Sequence, residues 1–173
     1  MGESEKTRRF AVLVMPHISA AYNLARWLVH ETADAEDVVQ EACLRAFRFI
    51  EGFRGEDGRA WFLAIVRNTS YTWLRQNRAR EMTVPFDELA LTDGPDPENV
   101  VLQKIDSQLL RKSMQRLPIE YREVIVLRDV EGMSYKDIAK AVEIPVGTVM
   151  SRLARGRRYL QLMLVQTSKR ELD

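Results

Sequence analysis

The sequence predicts an all-α protein built from two small helical domains. Apolar residues recur every three or four positions through nearly the whole chain, and the alternating pattern of strands is almost absent. A proline-rich acidic segment also divides the chain of 173 residues, a length that suits one domain or two small ones. We therefore expect a first domain at 1–82, a linker at 83–97 and a second domain at 98–173.

The first half predicts four helices. The apolar spacing places them at about 10–14, 16–30, 34–50 and 59–78. Pro16 suits the first turn of the second helix, and Asp34 is a suitable N-cap for the third. The segment 51–59 carries three glycines, so it is expected to form a loop.

The predicted linker differs in composition from the rest of the chain. It reads TVPFDELALTDGPDP, with three prolines, four acidic residues and no basic residue. Proline disfavours helix, and like charges extend a chain by repulsion. A surface loop inside a single domain is the alternative, although loops of more than about 12–15 residues are uncommon in compact domains.

The second half predicts helices at about 97–117, 118–130, 135–142 and 145–166. The last two, joined by a tight turn, are typical of a helix-turn-helix whose second helix enters the DNA major groove. An apolar stripe on this last helix consists of Val149, Leu153, Gly156, Leu160 and Leu164. The outer surface would then carry Thr148, Ser151, Arg152, Arg155 and Arg158, which suit phosphates or base edges. A solvated charged face is the alternative.

Glu143 occupies the turn between these two helices, where glycine often supplies a left-handed backbone. A non-glycine residue there is expected to cost roughly 1 kcal/mol.

Composition narrows the function classes. A net charge of +1 argues against a protein that coats nucleic acid non-specifically. Cys43 is the single cysteine, so no internal disulfide can form, and no apolar run approaches a membrane span. His17 and His30 have no suitable ligand partners, and no phosphate-binding glycine loop is present. We expect a cytoplasmic protein that is not an enzyme and has no metal, cofactor or membrane insertion.

Two surfaces of the first domain are candidates for binding. The third helix carries an acidic and amidic edge that includes Asp37, Gln40 and Glu41, which suits docking on a basic protein. Periodicity alone favours a merely solvated face. Residues 53–80 interleave aromatic and arginine side chains, a combination that binds single-stranded nucleic acid. Alternatively, these aromatic residues fill a small core; we expect this for Trp61 and Phe62, and an exposed position for Phe53.

Four segments together resemble the extracytoplasmic-function sigma factors of the bacterial sigma-70 family. They read DAEDVVQEACLRAF (34–47), FRG…WFLAIVRN (53–68), LPIEYREVIVLRDVEGMSYKDIAKAV (117–142) and IPVGTVMSRLARGRR (144–158). They occur in the family order and cover nearly the whole chain. The loop sequence EDG is shorter than in many relatives.

The resemblance implies a role for each candidate surface. Asp37, Gln40 and Glu41 would bind the β′ clamp helices of core RNA polymerase, reversing the periodicity-based interpretation. The second domain would read the −35 promoter element and pack on the β flap. The −10 element would be captured and opened by Phe53, Arg54, Arg67 and Asn68. An anti-sigma factor is a further expected partner.

Two other function classes remain open. A stand-alone helix-turn-helix regulator would bind operator DNA as a dimer, but it would need a dimerisation or effector module in the first half. An all-α enzyme would need a cofactor or pocket that the sequence does not reveal.

Overall fold

The computed structural model describes residues 1–77 and 107–170, and every regular element in these ranges is helical. The all-α prediction is therefore confirmed. The α-helices are α1 Glu3–Leu13, α2 Ile18–Val29, α3 Thr32–Phe49, α4 Gly58–Asn77, α5 Ser107–Arg116, α6 Ile119–Ile125, α7 Tyr135–Val142 and α8 Val146–Arg170. Short 3-10 turns at Met15–His17 and Ile50–Gly52 precede α2 and follow α3, and a π-helical turn at Val126–Val130 extends α6. The predicted linker, 83–97, lies outside the described residues, as does the start of the helix expected at Pro97.

The first domain packs α2, α3 and α4 around a shared core. Each helix contributes one apolar stripe, as the periodicity predicts. Leu24 and Leu28 of α2, Val38 of α3 and Phe62 of α4 are almost completely buried. α1 covers the edge of this core and contacts α3.

Two helix starts differ from the predictions. α1 begins at Glu3 rather than Phe10. Its exposed first turns lack the apolar spacing that predicts a helix. Glu3 and Glu5 stabilise this start, because carboxylates interact favourably with the positive N-terminal end of the helix dipole. α3 begins at Thr32, so Asp34 lies in its first turn and is not the N-cap.

The early start of α3 follows from the turn at His30. His30 has a φ of 72°, and the Glu31 N–H donates to the Val29 carbonyl at 2.9 Å, so α2 and α3 are joined abruptly. The Arg26 side chain fastens this turn by donating to the His30 carbonyl and to Thr32 Oγ1.

The second domain packs α8 against α5, α6 and α7. Val149, Leu153 and Gly156 are buried along α8, as the sequence predicts, whereas Leu160 is half-buried. A Cβ at Gly156 would lie 2.9 Å from Ile125 Cδ1. This glycine therefore permits the close approach of α6 and α8.

The two domains also contact each other. α4 of the first domain packs against α7 of the second, and α2 packs against α6. The face of α4 that the sequence analysis assigns to DNA is consequently directed in part toward the second domain.

Candidate nucleic-acid and polymerase interfaces

The helix-turn-helix is built by α7, the turn at 143–145 and α8. The Ser134 hydroxyl caps α7 by accepting from the Asp137 N–H at 3.1 Å, and Ile138 anchors the helix in the core. Glu143 has φ 59° and ψ 48°, which confirms the left-handed turn. The Pro145 carbonyl then accepts the N–H groups of Thr148 and Val149, which starts α8.

The turn at Glu143 gives a stability prediction. We expect Glu143→Gly to raise the free energy of unfolding by about 0.5–1 kcal/mol, since relief of the left-handed strain exceeds the added entropy of the unfolded chain. Urea denaturation monitored by circular dichroism measures this. The matched control, Lys140→Gly on the exposed face of α7, should lose about 1 kcal/mol. A loss of similar size for Glu143→Gly would contradict the strain.

The five residues proposed for the −35 face lie on α8 with unequal exposure. Ser151, Arg155 and Arg158 are exposed, whereas Thr148 and Arg152 are half-buried. The neighbouring Val146 and Met150 are also exposed, at 40 % and 53 %. The apolar pattern alone does not separate such exposed positions from core positions. Arg157 instead pairs with Asp129 at 2.5 Å and fastens α8 to the π-helical turn.

The acidic edge of α3 is a free surface in this structure. Asp37, Gln40 and Glu41 are all exposed, and Leu44 beside them is 64 % exposed. Glu41 pairs with Arg45 at 3.0 Å, so its charge is partly balanced within the helix. The helix thus presents carboxylate, amide and apolar groups on one continuous strip.

The position of Phe53, in the loop before α4, differs from the prediction. Phe53 is half-buried rather than exposed, because its ring stacks on Trp61 with the centroids 4.6 Å apart. The Phe53 ring also lies close to Gly55, since a Cβ there would be 2.6 Å from the ring. Arg54 is exposed beside this stack. Phe62 fills the core as expected, whereas Trp61 is only half-buried.

Arg67 and Asn68 occupy different environments on α4. Asn68 is exposed. Arg67 instead donates from Nε and Nη2 to the Glu123 carboxylate of α6, at 2.8 and 3.3 Å. Burial raises the pKa of the Glu123 carboxyl, and the Arg67 guanidinium opposes that rise.

The burial of Glu123 was not predicted from the sequence. The available signal was a carboxylate directly before the apolar run VIVL (124–127). A buried carboxylate needs a charged partner, but the sequence does not identify a partner 56 residues away.

Metal and membrane features are absent from the described residues. Within 1–77 and 107–170, no group of three His, Cys, Asp or Glu side chains is arranged to hold a metal ion. No helix in these ranges has the length and apolar character needed to cross a bilayer. Cys43 packs half-buried against the core, and burial raises the pKa of its thiol.

Comparison with known families matches both halves of the chain. Residues 13–80 match the family model for sigma-70 region 2, and residues 107–160 match the model for sigma-70 region 4. The two matches occur in the same order as the two domains described above.

Curated relatives extend this match over most of the chain. The RNA polymerase sigma-H factor of Pseudomonas aeruginosa is 33 % identical over 91 % of this chain and 86 % of its own length. The ECF RNA polymerase sigma-E factor of Escherichia coli is 34 % identical over 75 % of this chain and 73 % of its own length.

Solved structures with a similar fold also match most of this chain. The sigma factor RpoE in complex with the anti-sigma factor NepR, from Bartonella quintana, superposes with a TM-score of 0.68 at 28 % identity, covering 87 % of this chain and 93 % of that one. CnrH in complex with the cytosolic domain of CnrY gives 0.66 at 26 % identity, over 92 % and 90 % of the chains. With the paired region models and a helix-turn-helix in the second domain, these similarities show that the chain belongs to the extracytoplasmic-function sigma factors of the sigma-70 family.

Proposed function

We propose that this chain is a dissociable initiation factor that directs core RNA polymerase to a specific set of promoters. The observation that carries the proposal is the pairing of a region 2 domain with a region 4 helix-turn-helix, whose α8 exposes Ser151, Arg155 and Arg158. The reaction chemistry belongs to the polymerase, and this chain acts in the cytoplasm by positioning and opening the template. Its working units are 1–82 and 98–173, joined by the linker at 83–97.

Each domain has a separate task in this proposal. α8 binds the −35 element through Thr148, Ser151, Arg152, Arg155 and Arg158, while the second domain rests on the β flap. The loop and α4 bind the −10 element through Phe53, Arg54, Arg67 and Asn68. α3 binds the β′ clamp helices through Asp37, Gln40 and Glu41.

Energetics supports the need for a polymerase partner. DNA melting costs about 1.4 kcal/mol per base-pair step. Aromatic stacking returns about 1–3 kcal/mol per captured base. The Phe53–Trp61 stack offers one aromatic surface, so polymerase contacts must supply the remaining free energy.

An anti-sigma factor is a further proposed partner. One solved structure named above is a sigma factor, RpoE, in complex with the anti-sigma factor NepR, and in the other CnrH is bound to the cytosolic domain of CnrY. The matches cover 87 % and 92 % of this chain. A partner that covers the exposed strip of α3 would prevent polymerase docking.

The direct test combines the chain with core polymerase on promoter fragments. We expect co-elution with the core enzyme in gel filtration and permanganate-reactive thymines near −10 on a subset of genomic fragments. Binding to DNA as a dimer without polymerase would favour a stand-alone regulator.

Arg155 gives a separate prediction about the −35 contact. Arg155→Ala should weaken promoter binding by the polymerase-bound chain and, if Arg155 contacts a phosphate, reduce the slope of log K against log salt by about 1. Filter binding at several salt concentrations measures both. Lys169→Ala, at an exposed position near the far end of α8, is the matched control and should change neither. Unchanged binding by Arg155→Ala would remove Arg155 from the DNA interface.

A further inference from the structure

An arginine of α1 fastens the loop that precedes α4. Arg9 donates from Nη2 to the Phe53 carbonyl at 2.7 Å, in a partly buried contact. The Phe53 N–H donates in turn to the Ile50 carbonyl at 3.2 Å. A hydrogen bond with a charged donor is stronger than one between neutral groups. Both backbone polar groups of Phe53 are therefore held, one by α1 and the other by the 3-10 turn after α3.

Neighbouring side chains fix α1 beside this loop. Lys6 Nζ lies 3.9 Å from the Glu51 carboxylate of the 3-10 turn. It also lies 4.9 Å from the centre of the Phe47 ring. Phe10 meets the same ring edge to face, with the centroids 5.6 Å apart. These contacts hold one face of α1 against the end of α3, and Arg9 reaches the loop from that position.

The same helix also contacts the far end of the loop. Gly58, the first residue of α4, is buried, and a Cβ there would overlap the Leu13 carbonyl. The Asp57 carboxylate, just before α4, accepts from the Arg59 N–H at 2.9 Å. The loop 53–58 is thus in contact with α1 at both of its ends.

The fixed backbone sets the place of the Phe53 ring. The ring stacks on Trp61 with an angle of 23° between the planes, and it lies close to Gly55. Ordering a loop during binding costs free energy, so a loop that is already ordered binds its ligand more tightly. A surface that selects one base among several must also be held in one geometry.

We propose that Arg9 is a positioning residue for base selection at −10: it acts on DNA through Phe53 and does not contact DNA itself. This inference rests on the proposed −10 role of Phe53. Without the Arg9 contact the loop has more conformations, and the preferred base must order it on binding. Other bases lose less affinity, because their binding does not depend on the ordered loop. Discrimination between bases therefore falls.

The test compares Arg9→Met with Arg8→Met, the same change at the exposed neighbouring position of α1. Methionine keeps a long unbranched side chain and good helix propensity but removes the donor. Each full-length variant is bound to core polymerase and titrated with single-stranded oligonucleotides that carry each base in turn at successive −10 positions. Fluorescence anisotropy gives the selectivity, which is the ratio of the weakest to the tightest Kd at the most discriminating position.

We expect Arg9→Met to lower the selectivity by about fivefold or more, and Arg8→Met to leave it unchanged. Affinity for core polymerase and helical content by circular dichroism should match the parent in both variants. In a Phe53→Ala background, Arg9→Met should change the selectivity by less than about twofold, because a residue that acts through Phe53 has no effect once that ring is absent.

Two results with the oligonucleotides would overturn the proposal. The first is unchanged selectivity in Arg9→Met, even if all oligonucleotides bind more weakly by the same factor. That pattern would identify Arg9 as a phosphate contact, which carries no sequence information. The second is an equal fall in selectivity with and without the Phe53 ring.

Amide hydrogen exchange in the free chain separates these failures from failure of the proposed function. Residues 53–58 should exchange roughly tenfold faster in Arg9→Met than in the parent, with no change in Arg8→Met. If the parent on polymerase shows no base preference at −10 but exchange rises in Arg9→Met, the proposed role of Phe53 is wrong while Arg9 still positions the loop. If the two variants exchange equally, Arg9 does not hold the loop and the proposal fails.

Discussion

Replacement of Asp37 and Gln40 together by alanine is expected to weaken binding to core RNA polymerase by about 2–4 kcal/mol, or roughly 30-fold or more. The two side chains are exposed on α3, while the buried face of that helix packs through Val38 and Ala42. The substitutions therefore remove interface groups and leave the core unchanged. Competition against a fluorescent sigma factor for the core enzyme measures the loss.

The matched control for this double variant is Glu5→Ala. It also removes one exposed carboxylate, but from α1, which lies outside the proposed docking strip. We expect wild-type binding from this control and unchanged thermal unfolding from both variants. If the double variant bound core polymerase as tightly as the control, the docking surface would lie elsewhere on the chain.

Gly58→Ala is expected to cause the largest loss of stability, about 3 kcal/mol or more. Gly58 is the first residue of α4 and is pressed against the end of α1. A Cβ there would lie 2.1 Å from the Leu13 carbonyl oxygen and 2.8 Å from its carbon. Because these are backbone atoms, α1 and α4 must move apart to accommodate a methyl group.

Thermal unfolding monitored by circular dichroism measures this effect. A loss of 3 kcal/mol should lower the Tm of a small domain by about 12 °C or more. Gly52→Ala is the matched control, because nothing lies within 4 Å of a Cβ at that position. Equal melting temperatures for the two variants would show that α1 is not packed against Gly58 in solution.

The two expected effects fall on different parts of the same domain. Gly58 fixes the packing of α1 against α4, whereas Asp37 and Gln40 take part in no core contact. A stability defect and a docking defect can thus be separated by experiment.

The sequence by itself determined the helical class and the helix-turn-helix. The spacing of Val149, Leu153 and Gly156 identified the buried side of α8, and the position of Glu143 identified the left-handed turn. These features depend on residues within a few positions of each other, and local periodicity and backbone sterics are sufficient to predict them.

Only the tertiary structure decided the states of Phe53, Arg67 and Glu123. The Phe53 ring is half-buried because Trp61 lies beneath it, and Arg67 is turned from solvent because a carboxylate of the other domain accepts its hydrogen bonds. Both outcomes depend on how separate helices approach each other. Periodicity shows which side of a helix is apolar, but the partner that covers a polar side chain is fixed by packing between distant segments.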